Sequence, residues 1–531
     1  MITNEQSRRT GSGRFIYAAL PTIGNIIFIA VLIVLAFSSG SGLLGDGDTG
    51  YHIRTGQVIL QGLTIPDHDI FSYHSPPLSW TAHEWLSEVI MAGIYQVGGL
   101  TGVVVFFALL LAFTHWGLYH VLRKNSANII LCVLITLLAT ATSSTHWLAR
   151  PHLFSLMLTL TWCHLLGRFQ YQHQRVLFYL PPIMMFWVNL HGGFVIGLIV
   201  LSIHLTGNLL YSFTQPPIRA RLHIQKTKAL LLCLIIATMA CLINPHGYKI
   251  LLFPFRTTSD RFLMDHVAEF LSPNFHEVLP FKYMLLTMVA ILAISRQPVN
   301  LIEAGLLVLL SYMALYSVRH VSLFAIIAAP ILLRLCEGVM TRFPSHVLGF
   351  FQDRNRRFTA LEAKLGGYLW PCVTILSIIG LSLNGRLHYA FNDTAFPVAA
   401  VDFLKRANLP GKMFNNDEFG DYLIFAAWPE YRVFMDGRSD MYGKEYGGAY
   451  LRVANAQPGW KDVLKDYDIN WVIFDTASSL TATLSEQTDW LPIYSDAVAT
   501  IFIKNDNAPQ SNQTTYQKVP LATKSATQNL N

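Results

Sequence analysis

A chain of 531 residues is long enough for several soluble domains, yet only 13% of it is charged, 52% is hydrophobic and the mean hydropathy is +0.39. That balance excludes a collagen, a disordered chain and a disulfide-stapled secreted module, and it predicts a polytopic membrane protein. The formal charge of +6 invites a nucleic-acid reading, but the placement of the basic residues removes it.

The first apolar run, 15–38, follows the basic flank Arg8, Arg9 and Arg14. Its roughly 22 spanning residues exceed a signal-peptide core of about 7–15, so a retained helix is predicted. Further spans are expected at about 101–121, 127–146, 152–167, 176–190, 194–212, 228–243, 281–295, 299–318, 320–335 and 366–383. Pro181-Pro182 falls inside the stretch 152–190 and loosens the boundaries there. About eleven helices result, with the two termini on opposite sides.

With Arg8 cytoplasmic, the inner segments hold eighteen of the 38 Lys and Arg, and the outer segments of the membrane part hold seven. The other thirteen follow residue 384. The positive-inside rule therefore accounts for the basic excess, and no nucleic-acid partner is implied. Ten of the fifteen acidic residues before 384 lie in outer segments, among them Asp46, Asp48, Glu84, Glu88 and Glu269.

The outer segment 260–280 has helical spacing of apolar positions and reads as an interfacial amphipathic helix, with gating of a cavity as the sharper alternative. After 384 the character changes. Strand-like runs at Tyr431–Met435, Trp471–Phe474 and Ala497–Ile503 alternate with helical ones at Pro397–Asn408 and Pro458–Tyr467, which predicts a small α/β domain. Residues 506–531 have almost no apolar content and are expected to be disordered. The six cysteines lie in or beside spans, and neither a Cys-x-x-Cys metal motif nor a Walker-type phosphate loop is present.

Polar clusters gather at the outer helix ends. They are Asp46-Gly-Asp48 with His52 and Arg54, His83-Glu84, His146 to Arg150-Pro-His152, Asn189-Leu-His191, Asn244-Pro-His246 and Arg319-His320. Groups of this kind are costly at membrane depth, and six clusters on one face predict a shared polar cavity. Asp46 and Asp48 suit a general base and a cation ligand, while Arg150, His152, Arg319 and His320 suit phosphate oxygens. Outside the cytoplasm there are no nucleotide sugars, so an activated group would arrive on a lipid phosphate. A carboxylate base beside a cationic clamp points to transfer from a polyprenyl-linked donor.

These residues resemble the GT-C membrane glycosyltransferases, which include oligosaccharyltransferases, protein O-mannosyltransferases and aminoarabinose transferases. The first outer loop, Asp48-Thr-Gly-Tyr51-His52-Ile-Arg54 followed by Gly62, Pro66, Asp69 and Ser72-Tyr73, is similar to the loop after the first helix of oligosaccharyltransferases. The resemblance implies that Asp48 is the catalytic carboxylate and that transfer inverts the anomeric carbon. With His83-Glu84-Trp85-Leu86, Arg150-Pro-His152, Asn189-Leu-His191-Gly192 and Arg319-His320, the chain also resembles a bacterial GT-C-like group of unassigned substrate, over nearly its whole length. Two departures stand out: His146 to His152 holds no carboxylate, and Asn416 to Tyr422 lacks both tryptophans of the acceptor-binding motif. Asparagine glycosylation is therefore not implied. The turn Asp436-Gly-Arg438-Ser-Asp440 is left open between a structural loop and one docking at a cavity mouth.

The expected fold is a polytopic α-helical, GT-C-like membrane domain over 1–389, whose first outer loop is 39–100, with an extracytoplasmic α/β domain over 390–505. The expected function is glycosyl transfer at the bacterial inner membrane, from a polyprenyl-phosphate sugar donor to an outer-face acceptor. Asp48, Asp46 and Glu84 are the catalytic candidates; His52, Arg54, His83, Arg150, His152, Asn189, His191, Asn244, His246, Arg319 and His320 are the binding candidates. A divalent cation, Mg or Mn, is the one cofactor those residues suit. A lipid-linked saccharide transporter and a non-catalytic assembly subunit are the alternatives, although the helix centres are apolar and no internal repeat is visible.

Overall fold

The structure, a computed structural model, describes residues 19–505. The basic flank at Arg8–Arg14 and the expected disordered tail lie outside the described residues. The chain divides into two compact units. The first holds the described residues up to Gly40, with Gly98–Pro254 and Ala268–His388; the second holds Ser41–Val97, Phe255–Val267 and the described residues from Tyr389. The first outer loop thus groups with the C-terminal residues rather than with the membrane helices.

A helix occurs at each of the eleven expected span positions. Among the described residues, five are long and apolar enough to cross a membrane: Trp85–Asn125, Ile129–His146, Phe194–Thr214, Pro217–Ala240 and Val318–Met340. The chain is a multi-pass membrane protein. Ile23–Phe37, Leu177–Leu190, Pro280–Ile294, Leu301–Tyr316 and Leu369–Leu383 are apolar but shorter. His152–Gln172 is long, with a polar content that lowers its hydropathy.

Local chemistry explains the ends. Thr22, Asn128 and Asn300 accept backbone N–H groups as N-caps, and Glu303 completes a capping box with Asn300. Pro181 and Pro182 fall in the first turn of Leu180–Leu190, where a missing N–H breaks no helical bond. Trp85–Asn125 is interrupted at Gly99, whose φ of +59° suits a residue without a side chain. Val321–Met340 carries the most buried face of the first unit, while residues such as Ile236, Met239 and Leu376 stay exposed, as lipid-facing positions do.

The second unit is built on a four-stranded sheet, β1 Lys412–Asn415, β2 Ile469–Asp475, β3 Trp490–Ser495 and β4 Ala499–Lys504, in the order β1-β2-β4-β3. β1 runs parallel to β2, and β4 is antiparallel to both β2 and β3. Phe414, Val472, Phe474 and Phe502 anchor one core, joined by Phe434, Val453 and Trp490. The expected strand Tyr431–Met435 is not in the sheet. Its backbone is taken by a side chain instead: Phe434 N–H donates to Asn415 Oδ1 (2.7 Å), and Asn415 Nδ2 donates to Met435 O (2.7 Å). The single long amphipathic helix expected over 260–280 is also absent. Asp260 caps a short helix, Arg261–His266, and a 3-10 turn follows at Ala268–Phe270.

Helix Asp48–Gly62, read as loop in the sequence, is held by close backbone approach in the same unit. A Cβ on Gly56 would stand 1.9 Å from the Glu88 carbonyl oxygen, so only glycine admits that contact.

Candidate active site

In the second unit, the start of helix Asp48–Gly62 gathers carboxylates. Asp46 Oδ1 accepts the Asp48 N–H at 2.8 Å, which fixes the turn into the helix. Helix Asp417–Ala427, capped by Asn416, brings Asp421 to the same point. One oxygen each from Asp46, Asp48 and Asp421 lie within 4.8 Å of one another. Asp48 is 7% exposed and Asp421 3%. Burial and the charges of Asp48, Asp436 and Asp46 push the Asp421 carboxyl well above the usual range, against a hydrogen bond from Gly437 N–H at 2.9 Å. Gly437 is also the residue that leaves room for the group: a Cβ there would meet Asp48 Oδ1 at 2.3 Å and Asp421 Oδ2 at 2.8 Å. Three hard oxygen donors with an excess of negative charge fit a divalent cation such as Mg or Mn.

The neighbouring candidates take other places in this unit. His52 lies between two carboxylates, with Nδ1 3.2 Å from Glu88 Oε1 and Nε2 3.6 Å from Glu84 Oε2. His83 Nε2 is 3.6 Å from Glu84 Oε1. Glu84, a catalytic candidate from the sequence, lies with the histidines, and Asp421 completes the carboxylate group. Arg54 is turned onto protein backbone, donating to Ile424 O (3.3 Å) and Phe425 O, so it ties helix Asp48–Gly62 to helix Asp417–Ala427 rather than facing a ligand.

The turn Asp436–Asp440 is a packed structural element. Arg438 Nε donates to Asp436 Oδ1 (2.8 Å), and Nη2 donates to Asp436 Oδ2 (2.7 Å) and Asp69 Oδ1 (2.8 Å). The guanidinium lies over Phe71 and Trp80, 4.9 and 4.6 Å from their centroids. Burial opposes ionisation of Asp69, but Arg438 and the N–H groups of Phe71 and Ser72 hold its carboxyl below the usual range.

The first unit gathers cations. Arg150 and Arg319 both bind Glu269: Arg150 Nη1 donates to Oε1, and Arg319 Nε lies 3.3 Å from Oε2. His146 Nε2 is 3.9 Å from Oε1, and His152 Nε2 bonds His146 O at 3.0 Å. Burial opposes the charge on Glu269, yet Arg150 and then Arg319 hold its carboxyl far below the usual range. His191 follows, its ring 6.4 Å from that of His152. Because Gly193 N–H donates to His191 Nδ1 at 2.9 Å, the neutral ring carries its hydrogen on Nε2. His320 shares the 3-10 turn Val318–His320 with Arg319.

Two further candidates serve the backbone. Asn189 Nδ2 donates to Met185 O (2.8 Å) and Ile243 O (2.9 Å). Asn244 closes its own turn, accepting His246 N–H at 2.7 Å and donating to Gly247 O at 3.3 Å. His246 lies in that turn and is not brought to the arginines by any of these bonds. Sequence reasoning missed Asp421 and Glu269. Asp421 stood in the Asn416–Tyr422 stretch dismissed for its missing tryptophans, and Glu269 stood in the segment read as an interfacial helix. The usable signal was charge: two buried-end arginines require a counterion, and Glu269 is among the acidic residues on their expected face.

The fold aligns with the archaeal oligosaccharyltransferase AglB from Archaeoglobus fulgidus, in complex with an inhibitory peptide and a dolichol-phosphate, over 92% of this chain and 74% of that one, with a TM-score of 0.54 at 12% identity. The chain shares the fold of that protein. ArnT from Cupriavidus metallidurans, bound to undecaprenyl phosphate, aligns over 90% of this chain and 97% of its own, with a TM-score of 0.47 at 11% identity. No family model matches the sequence, and no curated protein does.

Proposed function

We propose that this protein is a GT-C-type glycosyltransferase that moves a sugar from a polyprenyl-phosphate-linked donor to an acceptor on the outer face of the membrane. The observation that carries this reading is the carboxylate group of half-buried Asp46 with buried Asp48 and Asp421 at a helix start. Asp48 accepts the proton of an acceptor hydroxyl as its oxygen attacks the anomeric carbon. The bond from that carbon to the donor phosphate breaks, its electron pair leaves with the phosphate, and a single displacement inverts the centre. Within the first unit, Arg150 and Arg319, with the His191 Nε2–H, are donors of the kind a lipid phosphate takes; charge stabilisation of this kind is worth about 3–4 kcal/mol per donor in oxyanion sites. The dolichol-phosphate bound by AglB supports a lipid phosphate as ligand. Asp46, Asp48 and Asp421 would hold a divalent cation, which as a Lewis acid would polarise a substrate oxygen.

The test is Asp48→Asn in the purified full-length protein, assayed in nanodiscs with lipid-linked sugars extracted from the native membrane. Asn keeps the shape and loses the basicity, so transfer should fall by at least about 10²-fold while membrane insertion and lipid binding persist. Wild-type turnover in this variant would remove Asp48 from the chemistry.

A further inference from the structure

Two arginines tied to one carboxylate set a charge count on whatever anion joins them. Glu269 bridges the guanidinium groups of Arg150 and Arg319, one carboxylate oxygen toward each. Its backbone is tied to the turn that carries Arg319. Ser317 Oγ donates to Glu269 O at 2.8 Å, Val318 N–H donates to Leu271 O at 3.0 Å, and the Arg319 guanidinium lies 4.8 Å from the Phe270 ring centroid. The ion-paired group therefore has a resident charge of +1, from two guanidinium cations and one carboxylate.

We propose that Glu269 is a specificity-determining residue that fits this site to a lipid monophosphate and against a lipid diphosphate. The inference rests on the polyprenyl-phosphate reading above. A glycosyl phosphodiester carries one negative charge and neutralises the group. A diphosphate diester carries two and leaves an uncompensated anion in a half-buried site, where ionic mismatch costs more than in water.

The experiment measures binding of a glycosyl undecaprenyl phosphate and a glycosyl undecaprenyl diphosphate, diesters that carry one and two negative charges, to the full-length protein in nanodiscs. The wild type should bind the monophosphate at least tenfold more tightly. Glu269→Gln should raise affinity for the diphosphate at least tenfold and erase or reverse the preference. Should Glu269→Gln alone fail to fold, the double variant Glu269→Gln, Arg319→Gln restores the resident charge and should keep the monophosphate preference. A wild type that favours the diphosphate or binds both lipids equally overturns the assignment, as does a folded Glu269→Gln with wild-type preference or a double variant without it. Binding of neither lipid by the wild type refutes the polyprenyl-phosphate reading itself, and the specificity assignment falls with it.

Discussion

Replacing Arg438 with methionine should loosen the segment around Asp69 and the turn at Asp436 without touching a proposed catalytic group. The guanidinium makes three hydrogen bonds of 2.7–2.8 Å to two carboxylates that are 1% and 0% exposed, and it lies over the Phe71 and Trp80 rings. Methionine keeps much of the volume and removes the charge, leaving Asp69 and Asp436 as buried anions. Removing one partner of a buried pair costs about 3–5 kcal/mol. The upper side is bounded, because an aspartate with an ordinary pKa of about 3.9 can be held neutral at pH 7 for about 4 kcal/mol. Asp69 also keeps the Phe71 and Ser72 N–H bonds, and Asp436 keeps that of the Tyr442 hydroxyl, so the lower half of the range is expected. At about 1.4 kcal/mol per tenfold, hydrogen-exchange protection should fall by about 10²–10³-fold. The assay is hydrogen exchange read by mass spectrometry on peptides covering 67–80 and 430–442 of the full-length protein. Arg438→Lys, which keeps the charge but not the planar fork, should lie between the two. Protection within about threefold of wild type in Arg438→Met would refute the view that this arginine holds the loop.

Gly437→Ala should displace the Asp48 carboxylate by about 1 Å and lower turnover by about 10²-fold, whereas Gly448→Ala, where an added Cβ meets nothing within 4 Å, should leave turnover unchanged; equal activity of both variants would separate Gly437 from the site. A periplasmic reporter fused after residue 390 should be active only outside the cytoplasm, and one fused near residue 224 only inside; reversal of either would overturn the proposed orientation. The Glu269 carboxyl is held below its unperturbed value of 4.5, so the stability it contributes is fully present above that pH and declines only as acidification proceeds below it. Exchange protection of Leu271 and Val318 should thus be flat from pH 7 to about 5, once corrected for intrinsic exchange, and a loss within that window would contradict the assigned ion pair.

Much of the architecture was legible in the chain alone. Hydropathy runs are a local property, and a run that must bury its backbone polar groups in hydrocarbon has little choice but a helix, so a helix lies at every expected span position. β2 and β4 were visible for the same kind of reason: their burial is almost continuous along the strand, and the sequence there is a continuous apolar run. Tyr431–Met435 has the same composition and forms no strand of the sheet. What holds it elsewhere are groups distant in sequence: the Asn415 amide takes the N–H of Phe434 and the C=O of Met435, Phe71 O takes the Val433 N–H, and His74 Nε2 bonds Phe434 O.

The site divides along the same line. Asp48 in one unit, and Arg150 and Arg319 in the other, could be proposed as candidates from residue type, spacing and expected membrane face. Their partners could not, because a carboxylate chooses its counterion by distance in space. Glu269 reaches Arg150 across 119 positions of sequence, and Arg438 reaches Asp69 across 369. Arg54 and Asn189 carry the same donor groups as a ligand-binding residue, and folding spends those donors on backbone carbonyls. The sequence by itself determined that this is a helical membrane protein with an acidic first loop and two arginines at helix ends. Only the tertiary structure decided that Asp421 joins Asp48 and that Glu269 neutralises one of the two arginine charges, since electrostatic partnership falls off over ångströms and the chain order carries no record of those distances.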